Sequence, residues 1–191
     1  KETGAWEMPG KEPGQEVRHV LISSGGGDRY DALWGILAGA AADEVFQGVI
    51  FHTVVGKFHN RKEELERLAA GYPNIRLHRE VRNMAELMGA CCAAVSAAGT
   101  MLFELSAMGV PTVFFVSADN QQYDSEFFAA EDRMLFAGDI REDRSGCIRR
   151  ICNGLKRVLD DVKLQEHMRK ALHSVTDGRG AERIAQAILE L

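Results

Sequence analysis

Several signatures that mark common functional classes are missing from this chain, and each absence narrows the choice. There is no excess of positive charge: 23 lysines and arginines stand against 28 aspartates and glutamates, a net charge of −5. Binding a phosphate backbone requires a basic face, so nucleic acid is not an expected partner. The four cysteines, Cys91, Cys92, Cys147 and Cys152, make no C-x-x-C pair, and the six histidines are scattered. Neither a zinc site nor a disulfide framework is supported, and free thiols in a reducing, cytoplasmic setting are expected. No apolar run approaches the roughly 20 residues that cross a bilayer, and no basic-apolar-small leader is present. Without a Gly-Lys-Ser/Thr there is no phosphate-loop NTPase. A dinucleotide fingerprint also fails, because Tyr30 stands where a glycine is needed and no acid closes the second strand. No internal repeat or low-complexity segment appears, and no metal or cofactor is expected. The chain opens on Lys1 rather than methionine, which suggests a processed chain or a piece of a longer one.

What remains is an ordinary globular composition: 191 residues, 46% apolar and 27% charged. A domain of that size buries about 70% of its unfolded surface, enough for one sizeable core. Residues 1–16 have no apolar period around Gly4, Pro9, Gly10, Pro13 and Gly14, and read as a linker or arm with Trp6 as its single large apolar residue. Residues 17–191 read as one α/β domain. Strands alternating with helices, about six of each, predict a doubly wound, Rossmann-like parallel sheet covered on both faces.

The most informative stretch is Ala94 to Pro111. A short apolar run breaks at Ser96-Ala97-Ala98-Gly99 and resumes with helical spacing at Leu102, Leu105 and Met108. Gly109 sits where a helix end favours a left-handed residue, and Pro111 stops the helix before a strand at Thr112 to Val116. The start of such a helix presents unpaired N–H groups to an anion, and Ser96, Gly99 and Thr100 are small enough to admit one. Glu104 lies one turn beyond Thr100 on the same face, where a carboxylate accepts from two adjacent ribose hydroxyls. The plain alternative is a solvated helix glutamate beside packing residues.

Two further loops belong to the same pattern. Val17 to Ser23 is a β-rich run leading into Ser24-Gly25-Gly26-Gly27-Asp28 and then a helix with Tyr30, Leu33, Trp34 and Leu37 at helical spacing, a second anion-ready turn. Tight turns favour glycine whether or not they bind anything. Ser117 to Tyr123, at the C-terminal end of a strand, places Asn120, Gln121 and Gln122 where open α/β sheets hold ligands, and amides suit sugar hydroxyls. Asn120 serves equally well as a helix cap. Other expected elements are a strand at Gln47 to Val55, a helix at Asn60 to Gly71, a strand at Asn74 to His78, a short helix around Met84 to Met88, a strand at Met134 to Ala137, and two or three helices in Cys147 to Leu191.

The run Ser96 to Tyr123, SAAGTMLFELSAMGVPTVFFVSADNQQY, resembles the nucleotide-sugar-binding half of the GT-B fold. Within that fold it is most similar to the UDP-sugar hydrolase of pseudaminic acid biosynthesis and its spore-coat polysaccharide relatives. The N-acetylglucosaminyltransferase of peptidoglycan synthesis is a more distant cousin. The resemblance extends from about Val17 to the C-terminus, is strongest from Asn83 to Tyr123, and covers only the second half of those two-domain proteins. It implies a UDP or UDP-amino-sugar ligand, with backbone around Val81 reading the uracil edge, Gln121 and Gln122 at the sugar, and Ser24 to Gly27 facing the cleft. It also implies that the catalytic base lies in an N-terminal half or partner outside this sequence, so the catalytic residues here are unknown. Two alternatives stay open: a free-standing nucleotide-sugar-binding subunit of a two-protein glycosyltransferase, and half of a UDP-sugar 2-epimerase.

Overall fold

The structure, a computed structural model, describes residues 17–190; the expected arm at 1–16 lies outside the described residues. The chain runs β1 (Arg18–Ser23), α1 (Ala32–Ala41), β2 (Val49–Val54), α2 (Lys62–Gly71), β3 (Ile75–His78), α3 (Met84–Gly89), β4 (Ala93–Ala97) and α4 (Thr100–Ala107). It continues through β5 (Thr112–Val116), α5 (Gln122–Ala129), β6 (Leu135–Asp139), α6 (Arg144–Asp160), α7 (Val162–His173) and α8 (Gly180–Leu189). All strands pair in parallel, in the order β3-β2-β1-β4-β5-β6. The doubly wound parallel sheet expected from the alternation of strands and helices is therefore present.

Central strands of such a sheet are covered on both faces and need small or apolar residues at every position. In β4 and β5 every residue is buried, and Ser96 and Thr112 are tolerated there because each hydroxyl donates to a nearby backbone carbonyl. The helices contribute single apolar stripes. Leu33, Ile36 and Leu37 of α1 are buried, as are Leu102 and Leu105 of α4 and Ile151, Leu155 and Val158 of α6. Met108 departs from expectation: α4 ends at Ala107, so Met108 is its cap, is 38% exposed, and lays its thioether methyl against Gly89. Gly109 does adopt the left-handed φ of 62° that lets the chain turn into β5.

Strand β2 is shorter than expected because a 3-10 turn at Glu44–Phe46, capped by Asp43, takes up Gln47. Three helices follow β6. No helix among the described residues is long and apolar enough to cross a membrane.

The strand order reverses between β1 and β4, and Ser23 pairs with Ser96 in register. The loops after these two strands therefore leave the sheet side by side, at the switch point where open α/β sheets bind ligands. Right-handed crossovers send α1 and α2 to one face and α4 and α5 to the other. Helix α1 packs on α2 and α6, whereas α4 packs on α7.

Candidate functional site

The turn from β4 into α4 is held open by one glycine. Gly99 has φ 130° and ψ −160°, a conformation essentially restricted to glycine. It starts α4 with no capping side chain and no acid in the first turn. Leu102 N–H closes back on Gly99 C=O at 3.0 Å, while the amides of Thr100 and Met101 lack a capping side chain. Thr100 and Glu104 are exposed, and the Glu104 carboxylate makes no hydrogen bond or ion pair with a described residue. Ser96 is placed differently from the expectation that it offers a hydroxyl. It is 1% exposed, and its hydroxyl donates to Ala97 C=O at 2.8 Å, because strand-end burial requires an internal partner.

The amide loop closes on the same turn. Gln121 Oε1 accepts from Ser117 N–H at 2.8 Å, Ala118 N–H at 3.2 Å and the Ser117 hydroxyl at 3.2 Å. Its carbonyl thus organises the loop, and the remaining NH2 lies 3.9 Å from where a side chain on Gly99 would begin. Asn120 and Gln122 are exposed. The charge beside them is neutralised, since Arg141 pairs with both Asp139 and Asp119 and holds the Asp139 carboxyl below the usual carboxylate range.

The turn from β1 into α1 is the reverse. Asp28 Oδ1 accepts from Ala32 N–H and Oδ2 from Leu33 N–H, both at 2.8 Å, and its side chain is only 3% exposed. His59, from the β2–α2 loop, accepts the Arg61 amide at Nδ1 (3.1 Å), which leaves the proton on Nε2 to donate to Asp28 Oδ2 at 3.2 Å. The expectation of a second anion-ready helix end is therefore corrected, because a resident carboxylate occupies that end. Gly25, Gly26 and Gly27 remain exposed, with Gly25 at φ 81°. Gly56 buttresses them. A Cβ there would sit 2.4 Å from Gly25 O and 2.5 Å from Gly26 O, so this position accepts no side chain without moving the loop. Ser24 and Gly27 line a cavity of about 240 Å³ together with residues of the β2, β5 and β6 ends; Gly99, Thr100 and Glu104 do not.

Val81 is half-buried against the core in the loop before α3, next to Glu80 at φ 49°. Asn83 caps that helix by accepting Glu86 N–H. No hydrogen bond between described residues engages the Val81 backbone. Val81 follows β3 and Gly99 follows β4, so in this parallel sheet both loops leave at the C-terminal ends of the strands.

Three of the six scattered histidines turn out to be neighbours. His19 Nδ1 and His52 Nε2 are 2.8 Å apart, His52 Nδ1 and His78 Nε2 are 2.9 Å apart, and the rings stack at 5.1 Å spacing across β1, β2 and β3. Burial, with the neighbouring imidazoles and Arg76, lowers His52 to about 3, and burial with Arg76 lowers His78 and His19. The four cysteines are free thiols; burial pushes Cys91 up to about 12 and Cys147 to about 11, too high for nucleophilic work at neutral pH. Among the described residues no group of three or more His, Cys, Asp or Glu is placed to hold a metal ion.

Asp28, His59 and Gly56 were the residues least visible from the sequence. An Asp four residues ahead of the first buried helical residue is a capping signal, and it was the one available clue.

No family model matches the chain. It is 24% identical over 183 residues to the spore coat polysaccharide biosynthesis protein SpsG of Bacillus subtilis, covering 93% of this chain and 51% of that protein. Among solved structures, Acinetobacter baumannii MurG superposes with a TM-score of 0.70 at 18% identity, over 94% of this chain and 51% of that one. The calicheamicin glycosyltransferase CalG4 gives 0.66 at 16%, over 94% and 43%. The fold is that of one half of a GT-B glycosyltransferase. The UDP-GlcNAc 2-epimerase of Neisseria meningitidis, solved with UDP-GlcNAc bound, shares it with a TM-score of 0.65 at 16% identity, over 92% and 44%. This chain thus spans about half the length of the curated relative and of these structures.

Proposed function

We propose that this GT-B half binds UDP or a UDP-amino-sugar for an enzyme of surface-polysaccharide or glycan biosynthesis. One observation carries the reading. At the switch point α4 begins on an uncapped Gly99 turn, with the Gln121 amide against that glycine and Glu104 one turn further on. The diphosphate meets the Thr100 and Met101 amides, where the helix dipole favours negative charge. Glu104 accepts the ribose hydroxyls, Asn120 and Gln122 with the Gln121 NH2 meet the sugar, and the Val81 backbone reads the uracil edge. The name of the B. subtilis relative supports the polysaccharide setting, and the epimerase solved with UDP-GlcNAc supports the ligand class.

In this reading the Glu104 carboxylate is taken by the ribose, and Asp28 and His59 are committed to each other and to a helix end. The chemistry, hydrolytic or transfer, therefore draws its base from the other half, and these residues bind without turning over. A separate partner protein supplying that half, or an epimerase in place of a transferase, would use the same site in the same way.

Titrating UDP, CDP and ADP into the wild type and Glu104→Ala by calorimetry tests this. Loss of an acceptor for two hydroxyls is worth roughly 1–3 kcal/mol, a five- to 150-fold weaker UDP complex. CDP should bind at least tenfold more weakly than UDP, since its base reverses the donor and acceptor order. Equal UDP affinity in both proteins overturns the role of Glu104, and equal affinity for all three nucleotides overturns base reading at Val81.

A further inference from the structure

The outer edge of the sheet carries an opening at the far end of the strands from the Gly99 turn. Val113 and Leu135, paired in register near the starts of β5 and β6, lie in an open trough of about 470 Å³ between the β6 edge and α6. Arg150, Asn153 and Arg157 of α6, all exposed, line its other side. We propose that this trough binds a small anionic amphiphile, an apolar chain ending in one carboxylate or phosphate.

Size and lining call for an apolar body. The volume falls within the roughly 300–1,000 Å³ of small-molecule pockets. Val113, Met134 and Leu135 give sugar hydroxyls nothing to bond, and they suit a hydrocarbon chain. Phe136 is 46% exposed yet held in place by stacking on the buried Phe114 at 5.1 Å, so its apolar face is presented without rearrangement. Gly154 sits directly on Val113, where a Cβ would lie 3.2 Å from Cγ1. A glycine in a helix interior weakens the helix, and here it keeps α6 close on β5 with no side chain between them.

Charge selects the head group. Arg150 and Arg157 are two turns apart on one face of α6, about 10 Å along its axis, with Asn153 between them. Arg150 is fixed: its Nε donates to Ala137 C=O at 2.6 Å, and its Nη2 lies 2.8 Å from where a side chain on Gly138 would begin. It also reaches Asp143, outside the trough, at 3.5 Å. The Arg157 guanidinium and the Asn153 amide make no hydrogen bond or ion pair with another described residue. Against two guanidiniums the lining holds one acid, Asp132, which leaves one positive charge over for one anion. Arg157 is the partner that remains, and its planar fork matches a carboxylate or phosphate.

The Arg150 contact also argues against a peptide or a second copy of the chain adding a strand here. Such additions need the free backbone groups of an edge strand. On β6 the pairing register shifts between Phe114 and Val116, and Arg150 already occupies Ala137 C=O. A chain that asks nothing of the backbone fits this edge.

The test is calorimetric titration of the whole chain with octanoate, octyl phosphate, octanol and acetate, in the wild type, Arg157→Gln, Phe136→Ala and Arg149→Gln. At least one octyl anion should bind at least tenfold more tightly than octanol, and the tighter of the two assigns the head group. Arg157→Gln should bring that anion down to the level of octanol. Phe136→Ala should weaken all the octyl ligands together, and Arg149→Gln, on the same helix but outside the trough, should change none of them. Thermal unfolding midpoints matching wild type confirm that the variants fold, and the exposed Arg157→Gln alone decides the head-group claim. Equal binding of octanol and the octyl anions, or none, overturns the proposal. Acetate binding as tightly as octanoate overturns it as well, by reducing the site to an anion contact. An equal loss in Arg149→Gln and Arg157→Gln does so by showing only general surface charge. Binding to phosphatidylglycerol vesicles without binding to either octyl anion overturns it too, since that is adsorption to a lipid surface. UDP affinity should match wild type in all three variants, so the nucleotide reading stands or falls separately.

Discussion

Two strand–turn–helix units meet at the switch point, and they resolve the same physical problem in opposite ways. Both turns are rich in small residues and both feed a helix whose first amides need acceptors. In the β1–α1 turn the acceptor is supplied from within, by Asp28 on Ala32 and Leu33 N–H with His59 behind it. In the β4–α4 turn no described side chain supplies it, and Gly99 holds a conformation that keeps the approach clear. The same division extends through the sheet. The β1–β3 half carries the linked histidines and the buried Asp28–His59 pair, whereas Glu104, Asn120 and Gln122 beyond β4 are exposed. A turn that satisfies itself contributes to stability, and a turn left unsatisfied is available to a ligand.

The sharpest way to break that comparison is Asp28→Ala. It strands two helix amides and the His59 N–H in a buried place, a loss on the order of 3–5 kcal/mol in a urea unfolding experiment. Glu104→Ala should leave the unfolding free energy within about 0.5 kcal/mol of wild type. If the two variants were equally stable, the closed and open description of the turns would be wrong.

Acid should act on the closed half next. His52 is neutral in the fold down to about pH 3, while an unfolded histidine takes up its proton near 6.5. Its contribution is therefore complete above about pH 6.5 and lost progressively as pH falls towards 3. At pH 4 the linkage amounts to roughly 3 kcal/mol, and the lowered His19 and His78 act in the same direction. Urea midpoints at pH 7, 5 and 4 should fall steeply for the wild type and for Glu104→Ala. For His52→Gln the midpoint should start lower and fall less, and an unchanged slope would show that His52 is not the linked group.

How much of this was readable from the residues alone differs between the halves for the same reason. Strand β5 could be placed to the residue because Pro111 and an unbroken apolar run bound it, and Gly109 announced its own left-handed turn. The Gly99 turn, with Glu104 a helical turn beyond it, was legible because sequence spacing within one helix fixes direction. The histidine chain was not, since it depends on the register of three strands whose pairing no local pattern states. Nor was the closing of the first turn. A glycine-rich loop before a helix reads alike whether its carboxylate turns inward or out, and here the inward turn is secured by His59, 31 residues away. Gln121 was legible only in part: its carbonyl closes a local loop on Ser117 and Ala118, three and four residues back, which a Gln-Gln pair does not announce, while its NH2 stays beside Gly99.

Gly99→Ala tests the open half directly. A non-glycine residue at φ 130° costs of order 1–3 kcal/mol, so unfolding stability should drop by about 2 kcal/mol and UDP binding should be lost as the turn relaxes. Retention of both would mean that the turn accommodates a side chain and that its glycine is not what keeps the helix end accessible.

The smallest expected effect separates the two turns most finely, because it falls on the glycine loop that the resemblance assigned to the ligand cleft. Gly26 has a negative φ, and a Cβ there meets nothing within 4 Å. Replacing such a glycine by alanine removes freedom mainly from the unfolded chain and stabilises by about 0.4–1 kcal/mol when the native backbone is compatible. Gly26→Ala should therefore leave the urea midpoint unchanged or slightly raised. Its effect on UDP is the discriminating measurement. If the diphosphate is held at the Gly99 turn alone, UDP affinity stays within about twofold of wild type. If the Ser24 to Gly27 backbone also lies against the phosphates, the new methyl group stands in the way and affinity falls at least tenfold while stability does not. That second result would show that the β1–α1 turn is closed at its helix end by Asp28 yet still meets the ligand through the loop ahead of it.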